Sequence, residues 1–469
     1  MTNDTILAKY VQQGIEHLYS GDPTLYGLLY EEYHRQANVL TMVAASSVVD
    51  PSVLICDSMV PVNVTAEGYP GARFHAGCKV IDKIEQLAID RAKEAFGAQY
   101  ANVQSHSATT ANQVVMCRLL KPGDTLLGME LNSGGHLTHG SKASVSGQYF
   151  NAIGYGLENH ERIDYERVHR LAQEHMPKLI ICGTTAYPRI IDFERFREIA
   201  DEVGAYVLAD ITHIAGLIIA GLHPSPIDHV HFTTTCTHKQ IYGPRGGLIM
   251  MGKDYDRPAP DGKGKLFEVV QKGVFPFFQG APNLNSIAAK AKALGMVLTP
   301  EFKERMKRIV ADARALARCF MEMGYHVITG GSDNHLVVVD VISNGITGLV
   351  AEKALEDCNI VVNKNRIPGD QQSAFITSGI RIGTNSLALK GMGPEEMPMC
   401  AELIHRVLSS VRPLDDRTFE LDKSVKTSIR AEVAQICKRF PIPCYPYSGE
   451  SVEKFDGVYG QPMRAVASS

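Results

Sequence analysis

Thr233-Thr-Thr-Cys-Thr-His-Lys-Gln-Ile-Tyr-Gly-Pro-Arg-Gly-Gly247 decides how the chain is read. It opens on β-branched residues, as the end of a buried strand does. A single lysine, Lys239, follows, and Gly-Pro-Arg-Gly-Gly leads into the apolar run Leu248–Met251. A lysine between two strands, with small residues close by, is poorly placed for a hydrated ammonium. It suits an amine that condenses with a carbonyl, because a desolvated lysine gives up its proton more readily. The ordinary alternative is a lysine on a surface hairpin.

Outward from this stretch, strands and helices alternate. Upstream, strands are expected at Tyr100–Gln104, Thr125–Met129, Lys178–Cys182 and Ala205–Asp210. Helices are expected at Asp82–Phe96, after a Ser105–Thr109 loop through Leu120, and at Tyr165–His175 and Phe193–Val203. Such alternation indicates a mostly parallel sheet covered on both faces. With helix Asn285–Leu298, this makes a large domain over residues 66–300. Downstream, a long basic helix over Glu301–Met323 leads to strands at His326–Ile328, His335–Val341, Ile360–Val362 and Gly379–Ile382. Helices Leu349–Asp357 and Met397–Leu408 intervene, giving a smaller α/β domain with a tail over 301–469. The tail has a helix over Lys423–Lys438. Its Pro- and Tyr-rich segment Phe440–Tyr447 is expected to lie against the body or a neighbouring subunit. Two helices, over residues 4–20 and Pro23–Leu40, precede any strand and read as an N-terminal arm over 1–65, with Val53–Thr65 irregular.

Composition excludes several classes. At 469 residues two domains are the expectation. The net charge of −4 argues against a general nucleic-acid or membrane surface. No apolar run approaches a membrane span, and Met1-Thr-Asn-Asp lacks the basic and apolar regions of a signal peptide, so the expectation is a cytoplasmic protein. The ten cysteines include no C-x-x-C pair and read as reduced thiols rather than metal ligands.

Four further stretches carry chemistry. Ser107-Ala-Thr-Thr110 lies between a strand and a helix, where hydroxyls and free N–H groups can hold a phosphate, or where a serine simply caps the helix. Asp210 ends an apolar strand, and in an open α/β sheet that end faces ligands; its carboxylate could pair with a protonated ring nitrogen or cap the next turn. Gly134-Gly-His-Leu-Thr-His-Gly140 has too few ligands for a metal site, and a flat imidazole stacked on a flat ring suits it better. Arg381, in Ser378-Gly-Ile-Arg-Ile-Gly-Thr384, has the fork geometry to hold a carboxylate, although an arginine in a strand is more often a surface residue.

Taken together these stretches resemble the serine hydroxymethyltransferases, which are pyridoxal phosphate enzymes. The lysine stretch is similar to the family's Thr-Thr-Thr-Thr-His-Lys-Thr-Leu-x-Gly-Pro-Arg-Gly-Gly, with Cys236 in place of a threonine. Gly-Gly-His-Leu-Thr-His-Gly is identical, and Asn102–Thr109, Ala209–Leu217, Thr184–Arg189 and Ala66–Gly71 match in the family's order. The resemblance spans roughly residues 30 to 440. It implies an α/β, fold type I (aspartate aminotransferase-like) enzyme with pyridoxal 5′-phosphate on Lys239 and tetrahydrofolate as cosubstrate.

By the same resemblance Ser107, Ala108 and Thr109 hold the cofactor phosphate, helped by Gly280 of a neighbouring subunit. His136 stacks on the ring, Asp210 faces its nitrogen, His213 and Thr185 face its oxygen, and His238 adjoins it. Arg381 and His213 bind the substrate. Glu67 is the acid/base group, with His75 beside it, and Leu131, Leu137 and Asn365 contact folate. The family works as dimers or tetramers with shared sites, and its small-molecule partners are an amino acid and an aldehyde or folate.

The substrate shell departs from the family. Ala45 replaces a serine in Met42-Val-Ala-Ala-Ser-Ser47, and three tyrosines become Thr65, Phe74 and His75 in Val64-Thr-Ala-Glu-Gly-Tyr-Pro-Gly-Ala-Arg-Phe-His75. Cofactor positions are kept while substrate positions change. Three substrate classes therefore stay open: serine with folate, an α-methylserine-type donor, and an aldehyde acceptor in a threonine aldolase or transaldolase reaction. A binding or regulatory relative of the fold is the alternative outside catalysis.

Overall fold

The computed structural model describes residues 5–158 and 161–446. Its largest sheet, among the described residues, has seven strands. They are β1 Tyr100–Asn102, β2 Thr125–Met129, β3 Asn151–Tyr155, β4 Leu179–Gly183, β5 Tyr206–Asp210, β6 Phe232–Cys236 and β7 Gly247–Met251. The spatial order is β1-β7-β6-β5-β4-β2-β3, and only β7 runs antiparallel to its neighbours. Strands β4, β6 and β7 are buried along their whole length. This is why they read as continuous apolar or β-branched runs rather than alternating ones. The loops after β1, β2, β4, β5 and β6 all leave from one edge of the sheet, and that edge carries the candidate site.

Helices cover both faces. Asp164 and Asp192 accept backbone N–H bonds at the starts of helices Tyr165–His175 and Phe193–Val203, as N-caps should. One core lies between the sheet and these helices together with Lys79–Phe96 and Leu284–Met296. A second lies on the opposite face, against Ala108–Leu119. A smaller antiparallel sheet has the order β8-β10-β9, where β8 is Leu336–Asp340, β9 Asn363–Asn365 and β10 Gly379–Gly383. Helix Pro300–Glu322 links the cores. Phe302, Met306 and Ile309 belong to the large core, while Ala313, Leu316 and Phe320 belong to the small one.

Several expectations are corrected. His326–Ile328 is not a strand: Val327 makes an isolated bridge to Val339, and a 3-10 turn begins at Ile328. Ile360–Val361 pairs in parallel with Leu40–Thr41 rather than joining the smaller sheet. The stretch Val53–Thr65, expected to be irregular, opens within a short helix, Pro51–Asp57, capped by Asp50. Strand β3 was not foreseen, because Asn151-Ala-Ile-Gly-Tyr155 has a weak strand pattern. Its pairing with β2 supplies what propensity does not.

Of the described residues, 5–37 and 441–446 form one compact unit, and those between Asn38 and Phe440 form another. Within the first, Tyr445 stacks on Tyr33, whose hydroxyl donates to the Pro446 carbonyl at 2.5 Å. The last residue of that Pro- and Tyr-rich segment, Tyr447, lies outside the described residues. No helix of the described residues is long and apolar enough to cross a membrane.

The turn that carries Glu67 is clamped by a buried ion pair. Arg73 donates to Glu85 at 2.5 Å and to Asp82 at 2.8 Å, and reaches back to the Gly68 carbonyl at 2.7 Å. The Arg73 and Glu85 side chains are 4% and 1% exposed, so neither ion finds water if its partner is lost. We expect Arg73→Met to lower unfolding free energy by about 3–5 kcal/mol, read as a reduced urea midpoint. A change below about 0.5 kcal/mol would show that the pair is not a clamp.

Candidate active site

Lys239 lies three residues beyond β6 and is buried, as the surrounding strand ends require. Its Nζ is 2.7 Å from Nε2 of His213, and Nδ1 of His213 is 3.3 Å from Nε2 of His335. Burial pulls the Lys239 ammonium down to about 8, with the nearby Arg381 and Arg245 acting in the same direction. Burial also pushes both histidines far toward the neutral form, and Lys239 and Arg381 add to that. Burial thus brings the lysine close to the pH at which it gives up its proton, beside an uncharged imidazole.

Asp210 ends β5 and is almost fully buried. Burial alone would raise its carboxyl, but hydrogen bonds from His139 and from the Thr212 amide outweigh this and hold it well below the usual carboxylate range. Its Oδ2 accepts from Asn112 at 2.7 Å and lies 3.1 Å from His139 Nε2, and Oδ1 accepts from the Thr212 amide at 3.1 Å. Asn112 is fixed in turn by Thr234, which donates to it at 2.5 Å, and by Thr138 at 2.9 Å. His139 Nδ1 accepts from the His136 amide at 3.2 Å, which sets Nε2 as the donor to Asp210. Oxygen and nitrogen atoms of His136, His139 and Asp210 converge within 4.8 Å. Each is already engaged, His136 Nδ1 with Thr138 at 2.8 Å, so a cation would have to displace the whole set.

Asn112, His139 and His335 were not singled out in the sequence. His139 stood in the quoted glycine-bracketed motif, and its i+3 spacing from His136 was the available signal. Burial pulls His136 down to about 4, so it presents a neutral ring.

Arg381 projects from β10 and is buried. It donates to the Thr185 carbonyl at 2.5 Å and to Asn363 Oδ1 at 3.0 Å. Among the described residues it has no carboxylate partner, and burial alone moves its guanidinium, down to about 10. Met42–Ala44 lies against the end of this strand. The Gly383 amide donates to the Met42 carbonyl at 2.7 Å, and a Cβ on Gly383 would stand 2.3 Å from Ala44 Cα. Ala45 follows directly, and Ser47 donates to the His238 carbonyl at 2.6 Å, next to Lys239. The departure from the family at Ala45–Ser47 therefore lies between the lysine and the arginine.

Ser107 caps helix Ala108–Leu119, its Oγ accepting from the Thr110 amide at 3.0 Å, with Ala108 and Thr109 in the first turn. Thr185 does not offer its hydroxyl proton to a ligand; the hydroxyl donates to the Gly134 and Gly135 carbonyls at 3.2 and 3.0 Å. Leu131 and Leu137 are 37% and 48% exposed on turns either side of His136. Arg366 bonds Asn132, which brings the strand end bearing Asn365 beside the Leu131 turn.

Glu67, His75 and Gly280 lie together, and Thr65 is two residues before Glu67. Glu67 lies 3.4 Å from His75, and a Cβ on Gly280 would be 3.3 Å from Glu67. Thr65, Phe74 and His75 are exposed. Among the described residues, this group makes no hydrogen bond or ion pair with Lys239, Asp210 or Arg381.

The first group fits pyridoxal phosphate. Buried polar atoms without protein partners, Ser105 Oγ, His238 Nδ1 and Thr212 Oγ1, belong to the loops around Lys239 and Asp210. A near-neutral lysine, an ionised carboxylate, a neutral imidazole and an anion-less guanidinium match an aldehyde, a ring nitrogen, a ring face and a substrate carboxylate. Since Lys239 is protonated below about 8 and free above it, its trapping by an aldehyde and borohydride should rise through that pH and then level off. We expect mass spectrometry of labelled peptides to give a half-maximal rate near pH 8. A midpoint near the ordinary lysine value of ~10.4 would show that burial does not activate it.

The family model described as serine hydroxymethyltransferase matches residues 18–404. The chain is also similar to the serine hydroxymethyltransferase of Halorhodospira halophila (strain DSM 244 / SL1). The two are 46% identical over 421 residues, 90% of this chain and 97% of that protein. Together with the type I topology of the large sheet, these matches establish that the chain belongs to the serine hydroxymethyltransferase family.

Proposed function

We propose that the site makes and breaks the Cα–Cβ bond of a serine-like β-hydroxy-α-amino acid, with tetrahydrofolate as the one-carbon acceptor. A buried guanidinium without a carboxylate, beside a near-neutral lysine, carries this reading. When bound, pyridoxal 5′-phosphate supplies an electron sink for the pair left on Cα. Lys239 would hold the cofactor aldehyde, and Ser107, Ala108 and Thr109 its phosphate. Asp210, kept ionised by Asn112 and His139, would hold a proton at the ring nitrogen, while neutral His136 covers the ring face. His213 and His238 would line the ring edge beside Lys239, with Thr185 accepting at the ring oxygen.

Arg381 would bind the substrate carboxylate in a fork. Glu67, paired with His75, would move the proton at the β-hydroxyl. Because that pair is partly exposed and, among the described residues, makes no hydrogen bond or ion pair with Lys239 in one chain, it fits a homodimer or tetramer in which each chain completes its partner's site. Phe74 and Phe277, both more than half exposed, add apolar surface suited to such an interface. Leu131 and Leu137 are placed to flank a pterin, and Asn365 to hydrogen-bond it.

The substrate shell supports a finer reading. Thr65, Ala45 and His75 are smaller or differently shaped than the family's residues, and they leave room for a substituent on Cα. An α-methyl-β-hydroxy amino acid is the substrate class that uses that room. We expect wild-type protein to turn over α-methylserine at a rate comparable with serine. Thr65→Tyr should reduce kcat/KM for the methylated substrate by about 10–200-fold relative to serine. A wild-type protein at least about a hundredfold better with serine and folate would return it to the ordinary members of the family. Turnover of threonine without folate would favour the aldolase reading.

Asp210→Asn removes the charge but keeps the shape. It should slow α-proton exchange in deuterium oxide by about 10²–10⁴-fold while leaving the phosphate loop intact. Near-normal exchange would remove Asp210 from this role.

A further inference from the structure

Helix Leu284–Met296 is buried on most of its surface, and Lys290 stands in its middle, 2% exposed. Its Nζ donates to three carbonyls: Val103 at 2.6 Å, Ser105 at 3.0 Å and Gly247 at 3.2 Å. Among the described residues, no carboxylate lies within ion-pair distance, and Glu85 and Asp57 act on it only through space. An ammonium has three donors and no acceptor. A neutral amine in this place would turn a lone pair toward one of the carbonyls, so the geometry calls for the charged form. Burial pulls the group down to about 7, and the three carbonyl dipoles oppose that pull. An unpaired buried charge costs several kcal/mol, and among the described residues none of the side chains assigned to the proposed reaction hydrogen-bonds this one.

The carbonyls identify what the charge supports. Val103 and Ser105 lead directly into Ser107–Thr109, and Gly247 opens β7 against the same loop, where a Cβ would stand 2.3 Å from the Ser107 carbonyl oxygen. The Ser105–His106 peptide is pinned at both ends. Its oxygen accepts from Lys290 and from the Gly247 amide at 2.8 Å, and its N–H donates to Gln279 Oε1 at 3.1 Å. Gly246 leaves space for the lysine, since a Cβ there would lie 2.2 Å from Lys290 Cε. With no carboxylate in ion-pair contact among the described residues, and Glu85 and Asp57 acting only through space, the charge acts across a low-dielectric interior, where electrostatic interactions are strong.

We propose that Lys290 is a positioning residue for anion binding: it orients the backbone leading into Ser107–Thr109 and lends that loop an attractive field for a phosphate. This rests on the reading of Ser107–Thr109 as the phosphate site. The test compares full-length protein freed of cofactor for its affinities toward pyridoxal phosphate and pyridoxal, which lacks the phosphate. Lys290→Met should lower the preference for the phosphorylated form by at least about tenfold, mainly by weakening pyridoxal phosphate. Lys290→Gln restores two donors without charge. It should melt closer to wild type yet keep the lowered preference, and it carries the test if the methionine variant does not fold. A folded variant whose preference equals wild type overturns the proposal. In a Ser107→Ala, Thr109→Val double variant, an unchanged preference would instead overturn the phosphate-loop reading beneath it.

Discussion

A carboxylate buried at the end of a strand sets the terms for the site. Taking Asp210 out of water costs several kcal/mol unless its lone pairs are met. They are met by Asn112, His139 and the Thr212 amide, drawn from three different segments. Asn112 comes from the helix after β1, and His139 from the turns after β2. Satisfying one charge thus locks three loops together at the carboxyl edge of the sheet. The neutral rings of His136 and His213 and the near-neutral Lys239 follow from the same enclosure, because desolvation that is offset for Asp210 is not offset for them.

Much of this was legible in the sequence. The strand Phe232–Cys236 and the lysine after it could be read because β-branched residues and a Gly-Pro-Arg-Gly-Gly turn leave few alternatives. Helices Tyr165–His175 and Phe193–Val203 were legible because they alternate with apolar strands in a regular pattern. Less legible were features that exist only through pairing. Strand β3 has an unremarkable local pattern and depends on β2. Ile360–Val361 finds its partner more than 300 positions away, at Leu40. His326–Ile328 has a strand-like composition, but its backbone turns at Thr329, whose φ is +67°.

The site was legible at residues whose chemistry is unusual for their place, such as a lysine between strands or an aspartate at a strand end. The residues that hold those groups were hidden. Asn112 and His335 are ordinary polar side chains until the fold brings them to Asp210 and His213. Thr185 could be located, but the direction of its hydroxyl could not, since that depends on the Gly134 and Gly135 carbonyls. Lys290 was invisible for the same reason: on a helical wheel it is one more cation, and only its three carbonyl partners show that it points inward.

Helix Pro300–Glu322 belongs to both cores, and that gives it a mechanical character. Its 23 residues make a rod of about 35 Å. Its large-core end packs beneath the sheet that bears Lys239. Midway, Thr384 donates to the Ile309 carbonyl at 2.8 Å, three residues beyond Arg381. A rod fixed in one body and gripped near its middle by another acts as a lever, so small rotations between the bodies are transmitted rather than absorbed. Over such a length, a tilt of about 3° displaces the far end by roughly 2 Å, a large fraction of a hydrogen bond's length. The helix thus ties the strand bearing Arg381 to the core that packs against the sheet bearing Lys239.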